Sequence, residues 1–79
     1  MEKTELDYKK DILRKLVDIK NSQESLIEKI GRIQVDLFNH PDKPLEEKMD
    51  QMNTDASKEF EFIDQLIEDY KMSINRMES

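Results

Sequence analysis

Few residues in this chain could carry chemistry. There is one histidine, His40, and no cysteine. A nucleophile activated by histidine, or a site of several histidines around a metal, needs partners that are missing. Disulfides and thiolate metal sites are excluded by the same count. Carboxylates are abundant, as in Glu46-Glu47, Glu59 with Glu61, and Glu68-Asp69. Paired carboxylates act as acid and base only where a cleft drives their pKa values apart. Spread along helices they form a solvated face, which is the expectation here. They also lack the glycine and the ligand ladder of a calcium loop. The sequence therefore predicts no catalytic residue, no cofactor, no metal and no small-molecule substrate. The chain is expected not to be an enzyme.

Positioning elements must come from helices. Charged residues make up 41% of the chain and hydrophobic ones 35%, with one glycine and two prolines. That profile fits long helices with wet faces. A chain of 79 residues buries only a modest share of its surface, so its core needs support. With disulfides and metals gone, self-association or a partner is the expected support.

The first segment runs from about Thr4 to Asn39. Apolar residues recur at Ile12, Leu16, Ile19, Leu26, Ile30, Ile33 and Leu37, with Gln23 on the empty rung. This is a sustained heptad stripe. Leu6, Leu13 and Ile27 lie beside it and widen it, which suits a bundle better than a strict two-stranded coil. Gln23 either sets register or marks a solvated rung. Gly31 either permits close approach or is simply accommodated at about 1 kcal/mol relative to alanine.

A break falls at 39–44, where Pro41 and Pro44 stand three apart beside Asn39 and Asp42. The second segment runs from about Pro44 to Met77, with Glu46 and Glu47 suited to a helix start. Its stripe is Leu45, Met49, Met52, Ala56, Phe60, Ile63, Ile67, Tyr70, Ile74 and Met77. Two consecutive steps of four around Ala56 make a stutter. Asn53-Thr54-Asp55 there is the weakest stretch, and a short break is an open alternative. A short loop between two segments of nearly equal length predicts antiparallel neighbours. Charge agrees: the first half is neutral overall, while the second carries the whole net charge of −6. Folding near residue 42 brings Lys9, Lys10, Arg14 and Lys15 toward Asp64, Glu68 and Asp69.

The expected fold is thus all-α: one domain over 1–79, a long antiparallel two-helix hairpin resembling a coiled coil. It is expected to assemble into a four-helix bundle, as a dimer or with a partner. Val35, Phe38, Phe62, Leu66 and Met72 are the candidate partner contacts, because most of them fall off the stripes. They are either scattered exposed apolars or a second contact surface. The need for extra burial favours the surface.

The turn reads His40-Pro41-Asp42-Lys43. It resembles the His-Pro-Asp loop with which J-domain co-chaperones stimulate heat-shock chaperone ATPases. Glu46-Glu47-Lys48-Met49 and Met52-Asn53-Thr54 are similar to the stretch that follows this loop in polyomavirus T-antigen J-domains. Ala56, Phe60 and Ile63 have the apolar spacing of a J-domain third helix. The resemblance implies His40, Pro41 and Asp42 as chaperone contacts. The chain departs from that pattern before the loop: residues 27–39 are neutral, not basic, and the heptad runs through 21–25, where a J-domain turns. Size and layout are also similar to the helical-hairpin proteins of bacterial type VII secretion. Their Trp-x-Gly turn and their C-terminal Tyr-x-x-x-Asp/Glu are missing, since Tyr70 is followed four later by Ile74.

The expected function is protein–protein interaction, as a small adaptor, assembly subunit or regulatory binder working through apolar helix faces. A J-domain-like co-chaperone and a small secreted hairpin are the alternatives. The partner is expected to be a second copy or another helical protein. An acidic chain repels phosphate, so nucleic acid and anionic membranes are not expected partners. No apolar run is long enough for a membrane span or a signal peptide. A cytoplasmic or nuclear location is the expectation.

Overall fold

A computed structural model describes residues 3–78. It holds two helices, α1 (Glu5–Asn39) and α2 (Lys43–Glu78), packed against each other as an antiparallel hairpin. Helix boundaries match the sequence expectation to within a residue or so. α2 runs unbroken through Asn53-Thr54-Asp55, where a break was an open alternative. There the Thr54 hydroxyl donates to the Asp50 carbonyl one turn back, and Ser57 donates to the Asn53 side chain. Side chains thus satisfy one another locally without opening the helix.

Each helix start is set by its cap. Thr4 and Asp7 form a capping box at α1: the Thr4 hydroxyl accepts from the Asp7 N–H, and the Asp7 carboxylate accepts from the Thr4 N–H. Two N–H groups left orphaned by the helix start are satisfied in this way. Those hydrogen bonds hold the Asp7 carboxyl below its ordinary value of 3.8. At α2, Asp42 plays the same part, accepting from the Leu45 N–H at 3.3 Å.

The hairpin is a thin slab, 57 × 22 × 14 Å. Its radius of gyration is 17.9 Å, against about 12 Å for a compact chain of this length. A slab one helix thick has only the seam between its helices as a core. The seam is lined by Leu6, Leu13, Leu16 and Ile27, all half-buried, with Ile30 and Leu37 buried. From α2 it takes Met49, Ala56, Ile63, Ile67 and Ile74. Among the described residues, seven hydrophobic side chains are buried and thirteen large ones stay exposed, so much apolar surface finds no cover within the hairpin.

The seam takes only one column of the α1 stripe read from sequence, that of Leu16, Ile30 and Leu37. Its other column is the flanking Leu6, Leu13 and Ile27. Ile12, Ile19, Leu26 and Ile33 fall outside it at 46, 51, 41 and 41% exposure. A single neighbouring helix covers about two adjacent columns of side chains, whereas the sequence stripe is centred where a bundle interior would lie.

The charge test gave the right orientation but not the partners. Asp64 accepts from Lys20, Lys10 pairs with Glu78, and the Lys9 ammonium donates to the Ser73 hydroxyl. Arg14 pairs with Asp11 of its own helix. In this register the Lys9–Lys10 level lies past Asp69, further along α2.

Candidate protein-binding face

The two broad faces of the slab differ in kind. On one, polar side chains bridge the helices. Lys20 donates to Asp64 at 2.6 Å, Gln34 to Asp50 at 3.1 Å, and Asn53 to the Gln34 side-chain Oε1 at 3.1 Å. The bond to Asp64 raises the Lys20 pKa above the ordinary lysine value, against an opposing effect of desolvation. The same ammonium lies 5.6 Å from the centre of the Phe60 ring, so the lysine stem covers that aromatic while its head stays wet.

The opposite face is apolar. Seven-residue steps keep side chains in one column along a supercoiled helix. On α1 the column starts at Glu5 and then runs through Ile12, Ile19, Leu26 and Ile33 without another polar residue. On α2 the column Leu45, Met52, Glu59, Leu66, Ser73 flanks the seam, with exposures of 37, 45 and 37% at its three apolar positions. The helical period and the antiparallel pairing put both columns on the same side. Leu26 and Met52 accordingly line one shared depression with Gln23 and Ala56. Glu5, at the start of α1, and Glu59, both exposed, are the charges within the two columns.

Gln23 anchors the floor of this face. Its amide donates to the Ala56 carbonyl across the seam at 3.2 Å. The small Ala56 side chain, at the stutter, leaves room for that reach. Of the two sequence readings, the cross-helix bond supports register setting. Gly31 has nothing within 4 Å of the position a Cβ would take, so close approach does not require it.

The five candidate contacts from sequence do not converge. Leu66 belongs to the apolar face, and Phe62 stands one turn before it on the border. Val35 and Phe38 line a separate shallow depression near the turn with Gly31 and Gln34. Met72 points away from the seam. Sequence reasoning placed Ile12, Ile19, Leu26, Ile33, Leu45 and Met52 on the two apolar stripes. The signal that they form a face was present: the stripe is wider than one neighbouring helix can cover.

The turn carries a different arrangement from the one its resemblance implies. His40 and Pro41 are exposed, and the His40 N–H donates to the Asp36 carbonyl to close α1. The Asp42 carboxylate is engaged in capping α2. α1 continues straight through 21–25, so the bend between the first two helices of a J-domain is not formed. The carboxylate pairs all lie along α2, exposed apart from half-buried Glu46. No helix among the described residues is long and apolar enough to cross a membrane.

No family model, curated protein or solved structure matches the chain.

Proposed function

We propose that the chain is a protein-interaction module that binds helical surfaces through its apolar broad face. One observation carries this reading. Two heptad-spaced, largely apolar columns lie on the same side of a two-helix slab, half-exposed, and nothing among the described residues covers them. A row of branched side chains at seven-residue spacing is the surface that knobs-into-holes packing uses. A contiguous apolar patch of this kind marks an interaction site. The acidic balance of α2 would steer basic partners toward it.

The reading is tested by changing the face without touching the seam. Ile19→Asp with Ile33→Asp should abolish capture of bound proteins while leaving the helical content intact. Phe38→Ser, away from the face, should leave capture unaltered. Equal capture by wild type and the double aspartate variant would overturn the reading.

A further inference from the structure

Building on that reading of the apolar face, we infer that its occupant is a second copy of this chain. The two hairpins are related by a two-fold axis parallel to their long dimension. Each α1 then packs antiparallel beside the α2 of the other copy, with both turns at the same end, and the result is a four-helix bundle.

The bordering charges single out this arrangement. Next to the apolar column on α1 runs Tyr8, Lys15, Ser22, Lys29, Asp36. Next to the one on α2 runs Lys48, Asp55, Phe62, Asp69, Arg76. All seven charged residues are exposed. Lys15, Lys29, Asp36 and Lys48 enter no ion pair within the described hairpin. The bonds Lys20–Asp64 and Gln34–Asp50 show which levels coincide: residues whose numbers add to about 84 share a height. A two-fold axis along the slab preserves height. It sets Lys15 opposite Asp69 of the second copy, Lys29 opposite Asp55, and Asp36 opposite Lys48. Every pair of facing charges is of opposite sign, and Arg76 comes level with the uncharged Tyr8.

The other face-to-face pairing uses a two-fold axis across the helices, and it inverts height. α1 would then lie on α1 and α2 on α2. Lys15 would face Lys29 of the second copy, and Asp55 would face Asp69. These like-charge contacts disfavour it. The apolar columns agree with the first arrangement, with Ile19 level with Leu66 and Ile33 level with Met52. Under it the α1 stripe from Ile12 to Leu37, split between seam and surface in one hairpin, becomes the interior of a bundle. The area suffices: a face of 57 by 22 Å offers on the order of 1,000 Å² per copy, and stable interfaces use about 800 Å² per partner.

Sedimentation equilibrium of the whole chain tests this. Wild type should be a dimer. Lys15→Glu with Lys29→Glu should raise the dimer Kd roughly tenfold or more, since four attractive contacts become repulsive. Adding Asp55→Lys and Asp69→Lys to that chain should restore the dimer. Circular dichroism checks that each variant remains helical. A monomeric wild type would overturn the proposal. So would a dimer indifferent to the first pair of changes, because the crossed arrangement exchanges one like-charge set for another. The broader reading fails separately: if wild type is monomeric yet Ile19→Asp with Ile33→Asp releases another bound protein, the face binds and only its occupant was misassigned.

Discussion

Glu59 gives the sharpest test of what covers the apolar face. It is exposed in the hairpin and sits between Met52 and Leu66 in the α2 column. In the two-fold bundle it comes level with Leu26 of the other copy, itself 41% exposed in the single hairpin. Consider Glu59→Leu. Within one hairpin the change touches only solvent, so its own stability should move by no more than about 0.5 kcal/mol. At the interface each new leucine is buried, and burying a leucine side chain contributes about 1.5–3 kcal/mol. The dimer contains the site twice. Taking the lower value at each site gives about 3 kcal/mol, or roughly a hundredfold tighter Kd. Removing two carboxylates from a drying surface adds to that. Sedimentation equilibrium would measure the Kd, and the melting temperature should become steeper in its dependence on protein concentration. Glu61→Leu is the control, with the same gain in apolarity on an outward column, and it should leave the Kd unaltered. An unchanged Kd for Glu59→Leu, or an equal tightening by Glu61→Leu, would refute the assignment of this face.

Two further outcomes follow from local geometry. Gly31→Ala should stabilise the hairpin by about 0.5–1 kcal/mol in urea unfolding, because its backbone has no positive φ and no atom stands near the added methyl; a loss of stability would mean that something packs there in solution. The Asp7 carboxyl is held below 3.8 by its bonds to Thr4. Its contribution is therefore present above the unfolded value and lost as pH falls through the lower folded one, so Asp7→Asn should flatten the acid limb of helix content followed by circular dichroism.

Much of the architecture could be read from residue spacing. The proline pair at 41 and 44 placed the reversal, the heptads placed both helices, and the charge imbalance gave their relative direction. The face was less legible. Spacing says that Ile12 and Leu16 share a stripe, but not which of them meets the neighbouring helix. That depends on how the two helices rotate about their axes as they pack. Leu6, Leu13 and Ile27, read as flanking residues, turned out to line the seam. Ion-pair partners were misplaced for a related reason, since a long, flexible lysine can reach several levels along the opposing helix. The stretch at 53–55 was read as weak from composition alone. Its side chains bond within the helix, which single-residue propensity does not express.

The reversal between the helices spans only a few residues and uses no glycine. Pro41 and Pro44 stiffen it on both sides. An unfolded chain therefore has fewer conformations to lose at the point of reversal. Only a small ring must close before Leu37 meets Met49, and every later contact extends the pairing without another closure of comparable cost. Assembly would proceed like the closing of tongs, from the pivot outward, and thermal opening would begin at the tips. The capping box at Thr4 and Asp7 lies at that far end, where it acts as a clasp on the first part to open.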